Sequence, residues 1–177
     1  MPTMTLTVDG QPGGAGAGWV ANTGTKADAV ASDNGDTAYI ETGTDTAETH
    51  FTFTNPSVAS GDIASITSVQ LITAGRFPSR GSGGEDVDFV FDNAPGSGLA
   101  ETLNYPNAAT HNARSGTVHT VNTGGSAWAY SDLETVEIQI TKNTASSPAT
   151  RVGYISLRVI YVAAVAADNS IFFGTNF

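Results

Sequence analysis

Three histidines, His50, His111 and His119, are the imidazoles of the chain, and their spacing offers little to catalysis. No two stand four residues apart, as paired ligands on one helix face would, and none neighbours a motif that marks an activated nucleophile. They read as ordinary surface or sheet residues. Cysteine is absent, which removes disulfides, thiolate zinc sites, iron–sulfur clusters and a cysteine nucleophile. Oxygen ligands are the remaining route to a metal. Two acidic clusters offer them: Asp28, Asp33, Asn34 and Asp36, then Glu85, Asp86 and Asp88. Neither fits the register of a calcium loop, and Asp33-Asn34-Gly35-Asp36 is equally a tight-turn sequence, in which Asn-Gly supplies positive φ at low cost. Asp33 and Asp36 are therefore weak calcium candidates, and no cofactor is expected. In the second cluster, strand alternation places Asp86 and Asp88 on one face, opposite Val87 and Phe89, as on a solvated sheet surface.

The glycine-rich run Arg80-Gly81-Ser82-Gly83-Gly84 precedes an acidic strand rather than a helix and lacks the Lys-Ser/Thr of a phosphate loop, so it reads as a connection. A glycosidase-like pair of carboxylates would have to be drawn from 17 acids, and no spacing selects one. The expectation is a protein that is not an enzyme. Sugar binding would need exposed aromatics beside convergent polar groups. Trp19, Tyr39, Tyr105 and Trp128 are the candidates, although the two tryptophans read first as core anchors.

Any such residues must be positioned by a β-framework. Of 177 residues, 40% are hydrophobic and 14% charged, enough apolar content for one domain with a core. Thr, Gly, Ser, Ala, Asn and Asp dominate, while lysine occurs only at Lys26 and Lys142, which removes most of the residues that solvate long helices. Short apolar or alternating runs lie between turn-forming clusters: Met4 to Val8, Thr37 to Glu41, Thr49 to Thr54, Ile63 to Ala74, Asp86 to Phe91, Thr117 to Val121, Glu134 to Thr141 and Arg151 to Val162. The fold class is thus all-β, a single antiparallel sandwich of about eight strands. The period of two is clearest where Phe51 and Phe53 oppose Thr52 and Thr54, and where Val136, Ile138 and Ile140 oppose Glu137, Gln139 and Thr141. One helical turn is expected near Ser131-Asp132-Leu133-Glu134, which has the capping form S-x-x-E, and it should tuck Trp128 and Leu133 against the sheet.

The organisation expected is a flexible amino-terminal arm over residues 1–18, a sandwich over 19–162 and a carboxyl-terminal arm over 163–177. The glycine-rich stretch Gly10 to Gly18 marks the first boundary. The second arm carries Ile171, Phe172, Phe173 and Phe177, apolar residues that need a burial site on this chain or on a partner. A net charge of -10 disfavours nucleic acid, because few Lys or Arg are available to displace counterions. No secretory signal and no apolar run of membrane-spanning length is visible, so synthesis in a cytoplasm and no membrane partner are expected.

Read end to end, Gly18-Trp19-Val20, Asp33 to Asp36 with Thr37-Ala38-Tyr39-Ile40, the long strand ending near Arg76, Thr102-Leu103 with Tyr105, Ala127-Trp128 with Leu133-Glu134, and Arg151-Val152 leading into Leu157 to Tyr161 form a distinctive order. This order resembles a group of tailed-phage virion proteins with a jelly-roll-like β-sandwich, over about Gly18 to Val162. The chain departs from that pattern by placing Tyr130 where a second tryptophan is often found, and by extending past the last strand. The resemblance implies a structural protein of the virion, assembled in the host cytoplasm: a capsid decoration or cement subunit that meets the major capsid protein or other virion proteins, and identical subunits, through its arms. A trimer would suit a lattice axis. The alternatives are a carbohydrate-binding or host-recognition module of a tail or fibre, with a glycan as ligand, and a filament-forming subunit.

Overall fold

The computed structural model describes residues 1–12, 18–78, 83–91, 99–142 and 149–165. Ten strands and two short helices follow one another as β1 (Thr3–Gly10), β2 (Val20–Ala21), α1 (Lys26–Val30), β3 (Ile40–Thr42), β4 (Glu48–Phe53), β5 (Ile63–Arg76), β6 (Gly84–Phe91), β7 (Leu99–Pro106), β8 (Asn112–His119), α2 (Tyr130–Thr135), β9 (Glu137–Lys142) and β10 (Thr150–Ala163), with a single 3-10 turn at Ser60–Asp62. Every ladder between these strands is antiparallel.

The pairing is nested. β1 pairs with β10, β4 with β9, β5 with β8 and β6 with β7, so the chain behaves as one long hairpin whose two arms are wound together. Cross-pairing of β10 with β5 and of β9 with β6 then joins the four pairs into two sheets. Sheet A runs β1-β10-β5-β8 and sheet B runs β4-β9-β6-β7; this is jelly-roll winding. The short β2 and β3 extend sheet A beside the start of β10.

β1 belongs to both sheets. Thr3 to Thr7 pair with β10, and past an irregularity Val8 and Gly10 pair with β4. Met4, Leu6 and Val8 all point into the core, so residues 3–10 are not an arm, contrary to the expectation for residues 1–18. At the opposite corner the sandwich stays open: Arg114 Nε donates to the Asn104 carbonyl at 2.8 Å and the Thr117 amide donates to Glu101, so β8 and β7 meet through side chains instead of a ladder.

Between the sheets lies one core. Phe51, Phe89, Phe91, Ile138 and Ile140 from sheet B face Leu6, Val69, Leu71, Ile155, Leu157 and Val159 from sheet A, all fully buried. Removal of that apolar surface from water is the main stabilising contribution, about 1.5–3 kcal/mol for each large side chain.

Two strands and a helix escape the sequence pattern. β7 alternates Leu99, Leu103 and Tyr105, but Glu101 interrupts the apolar face. β2 is only two residues long. α1 is fixed by a capping box in which the Thr25 hydroxyl accepts from the Asp28 amide at 3.1 Å and the Asp28 carboxylate accepts from the Thr25 amide at 3.1 Å. Those bonds from Thr25 also hold the Asp28 carboxyl below its ordinary range. α2 begins before Ser131: the Asp132 carboxylate accepts from the Ala129 amide at 2.8 Å, so Asp132, not Glu134, closes the cap. Leu133 and Trp128 are both buried, as expected.

Candidate functional site

At one end of sheet A, four segments distant in sequence assemble a polar cluster. Arg76 ends β5 and Arg151 opens β10, directly opposite it in register. The turn before β3 supplies Asp36 and Tyr39, β3 itself supplies Glu41, and the β7–β8 connection supplies His111. Asp36 Oδ1 accepts the His111 amide at 3.1 Å, and lies 3.3 Å from Arg76 Nε and 3.4 Å from His111 Nε2. Arg151 Nε donates to Glu41 Oε2 at 2.8 Å, and its guanidinium lies 4.4 Å from the centre of the Tyr39 ring. The edge of one ring meets the face of the other between Tyr39 and His111, with centroids 5.9 Å apart.

The imidazole of His111 fits only because residue 153 is glycine. A Cβ at Gly153 would stand 2.3 Å from the ring, far inside van der Waals contact. Burial pushes the His111 pKa below its ordinary value; the Asp36 carboxylate opposes that shift, and the two arginines reinforce it. The neutral ring therefore sits between two arginine–carboxylate pairs whose charges cancel.

Beside this cluster is a cleft of about 320 Å³ lined by Arg76, Pro78, Asn107, Ala108 and Ala109. It forms where Phe77, past the end of β5, bridges Asn107, past the end of β7. Arg76 donates to the Ala109 carbonyl and so ties its walls together. The arrangement holds a guanidinium at the rim of a cleft and a neutral imidazole behind it; a polar latch between two loops and two strands is its evident structural task.

The residues named from sequence go to separate places. Asp36 lies in this cluster, faced by Arg76 and His111. Asp33 is exposed in the turn, where its Oδ1 accepts weakly from the Gly35 amide at 3.4 Å, and Gly35 has φ of 60°. The two carboxylates do not converge on a cation site, and among the described residues no three His, Asp or Glu side chains do. Asp86 and Asp88 share the outward face of sheet B and accept from Asn104 Nδ2 at 2.8 Å and Thr102 Oγ1 at 2.6 Å. Glu85 turns inward and accepts from Lys142 Nζ at 2.8 Å, with the lysine fully buried. His50 contacts Glu48 at 2.8 Å on the outside of sheet B, and His119 packs against Phe91 with ring centroids 5.2 Å apart.

The aromatic candidates for a sugar groove are mostly interior. Trp19 Nε1 donates to the Ala47 carbonyl at 2.9 Å, Trp128 Nε1 to the His119 carbonyl at 3.1 Å, and both indoles are buried. Tyr105 is fully buried with its hydroxyl 2.6 Å from Thr73 Oγ1, and burial raises its phenol pKa. Only Tyr39 is partly accessible, and Arg151 lies over it. These four do not make a glycan-binding groove. Ile171, Phe172, Phe173 and Phe177, the expected partner contacts, lie outside the described residues, as do residues 79–82 of the glycine-rich connection.

Sequence reasoning missed the Arg76, His111 and Arg151 cluster. Its one local signal was glycine two residues after Arg151 inside an otherwise bulky strand, the mark of a close approach.

No family model and no curated protein matches the chain. Among solved structures it is similar to the enzymatically active domain of tailspike protein 4 from bacteriophage CBA120, at 12% identity and a TM-score of 0.43, over 90% of this chain and 19% of that one. The expectation that the protein is not an enzyme is corrected by this match, because the β-structure it is similar to is itself described as enzymatically active. The exclusion of catalysis is withdrawn, and at this identity no reaction is carried over. Among the described residues no helix is long and apolar enough to cross a membrane.

Proposed function

We propose that the chain is a structural protein of a tailed-phage particle, bound to the outer shell as a decoration or cement subunit. One observation carries this reading. Each of the ordered segments through which the sequence resembles phage virion proteins, save the acidic turn and the Thr102-Leu103 step, places a residue in the core of the jelly roll: Trp19, Ile40, Trp128, Leu133, Val152, Leu157, Val159 and Tyr161 are buried there, while Val20, Asp33, Thr102 and Arg158 of the same segments face outward. The apolar half of the ordered motif therefore belongs to the fold, which supports the resemblance. A fold by itself does not assign a role; the virion reading rests on that motif.

Correcting the amino-terminal arm narrows where the shell contacts lie. Residues 3–10 are committed to the body, so attachment falls to the carboxyl-terminal segment with Ile171, Phe172, Phe173 and Phe177, whose large apolar side chains suit insertion between shell subunits. The test is cosedimentation of the purified full-length chain with empty expanded shells of its own particle's major capsid protein. The chain is expected to pellet with them in fixed stoichiometry, and the double substitution Phe172→Asp, Phe173→Asp to abolish pelleting while circular dichroism stays unchanged. A folded wild-type chain that stays in the supernatant overturns the proposal.

A further inference from the structure

The turn that delivers Asp36 to His111 begins with the one Asn-Gly step of the chain, Asn34-Gly35. Ser32, Asp33, Asn34 and Gly35 are all exposed. Gly35 holds φ of 60°, and a Cβ there would meet nothing within 4 Å, so no neighbour crowds this step. The Gly35 amide makes a long contact of 3.4 Å to Asp33 Oδ1 instead of a ladder hydrogen bond, and among the described residues no hydrogen bond engages the Asn34 side-chain amide. Asn22, Asn104, Asn112 and Asn122 differ on both counts: each donates from Nδ2 to a fixed acceptor, and each precedes a residue that has a side chain. The related acidic step, Asp9-Gly10, lies in β1, where Asp9 Oδ1 accepts from Thr52 Oγ1 at 3.0 Å and Gly10 is paired with Thr52.

We propose that Asn34 is a self-modification site, independently of the virion reading: it closes spontaneously to a succinimide with Gly35, and the isoaspartate that follows releases Asp36 from the latch. Asparagine is a thermolabile side chain, and glycine next to it leaves the attacking nitrogen without a Cβ beside it. A solvent base takes the Gly35 amide proton, the nitrogen bonds to Asn34 Cγ, the Cγ–Nδ2 bond breaks, and ammonia leaves with a proton from water. Water then opens the ring. Addition at Cγ gives aspartate and keeps the path of the chain; addition at the main-chain carbonyl gives isoaspartate, in which the chain runs through Cγ and is one carbon longer. The Asn34 carbonyl, which accepts from the Thr37 amide at 3.4 Å and from Thr37 Oγ1 at 2.8 Å, becomes a free carboxylate outside the main chain. The turn then loses its closure. Two residues on, Asp36 Oδ1 meets the His111 amide at 3.1 Å, Arg76 Nε at 3.3 Å and His111 Nε2 at 3.4 Å, and a lengthened chain carries it out of that reach. Ammonia is lost to solvent, so the release runs one way.

Timed incubation of the purified full-length chain in warm, mildly alkaline buffer, followed by peptide mapping with isoaspartyl methyltransferase labelling, tests this. The wild type is expected to accumulate isoaspartate at Asn34, faster at higher pH because the attacking nitrogen must lose its proton, while Asn22, Asn104, Asn112, Asn122 and Asp9 stay intact over the same interval. Asn34→Gln, which would have to close a larger ring, and Gly35→Ala should each slow conversion by at least about tenfold. Asn34→Gln leaves glycine at the positive φ, so it reports even where Gly35→Ala disturbs the turn. In the isoaspartyl fraction, hydrogen exchange at the His111 amide, read by NMR, should quicken by at least about tenfold as that amide loses Asp36. Asn34→Asp, which adds the same charge to a chain of ordinary length, should keep the His111 amide protected. A folded chain free of isoaspartate at Asn34 over an interval in which the denatured chain converts, or an isoaspartyl fraction whose His111 amide stays as protected as in Asn34→Asp, overturns the proposal.

Discussion

His111 occupies a slot that exists because Gly153 has no side chain, and its ring nitrogen faces a carboxylate supplied from 75 residues earlier in the chain. Burial disfavours its charged form more than Asp36 favours it, so the folded-state pKa falls below the ordinary 6.5. The unfolded chain then binds the proton more tightly than the folded one. The stability His111 contributes is complete above about pH 6.5 and is lost as the pH falls through the lower folded-state value, after which it changes no further. Denaturant midpoints measured across this window are expected to fall with acidity, and His111→Gln to flatten the slope. An imidazole titration by NMR should place His111 below the exposed-histidine range. The loss tied to Asp28 begins only in the carboxylate range, because its pKa too is lowered, which separates the two effects. None of this was legible from sequence: a histidine without a spaced partner reads as ordinary, and its partners come from the turn before β3 and from two strands. Asp36 was read correctly as part of a turn, but its carboxylate was the less predictable half, since Arg76 and His111 reach it only in the folded chain.

β1 forms over the run Met4 to Val8 that the pattern marks, but its place in the body, not in an arm, departs most from expectation. A glycine-rich stretch follows it, and composition alone suggested a tether. Yet Thr3–Gly10 alternates Met4, Leu6 and Val8 inward against threonines outward, and it is the strand that both sheets share. Leu6 is fully buried, so Leu6→Ala is expected to cost about 2–5 kcal/mol of stability in chemical denaturation, where the same change in a solvated arm would cost almost nothing. Strands with uninterrupted alternation were legible: β4 within one residue at each end, and β9 within one at its end but three at its start, where Glu134 belongs to α2. β7 was not, because Glu101 stands on its inward row and reaches across to the Thr117 amide on β8. α1 was missed for a different reason: five residues seldom sustain a helix alone, and this one is held by the Thr25–Asp28 box and by burial of Ala29 and Val30.

At the scale of the whole molecule, the nested pairing makes the two ends of the body interdependent. β10 is hydrogen-bonded to β1, β3 and β5, so a chain ending before Thr150 strips three strands of the ladder that joins them into one sheet. Such a truncation is expected to lose cooperative unfolding entirely, with Trp19 and Trp128 fluorescence moving to that of solvated indole. The sequence by itself determined that this protein is all-β, that its core faces are set by period-two alternation, and that its tryptophans anchor the interior, because each of these follows from local pattern and from the cost of leaving apolar area in water. Only the tertiary structure decided that the first strand closes the body, that Asp36, Arg76, His111 and Arg151 meet, and that the arginines gather on sheet A while the outward carboxylates gather on sheet B. Those depend on which strands become neighbours, and neighbours in a wound hairpin stand far apart in sequence: Arg151 meets Glu41 across 110 positions, a separation over which no spacing rule operates.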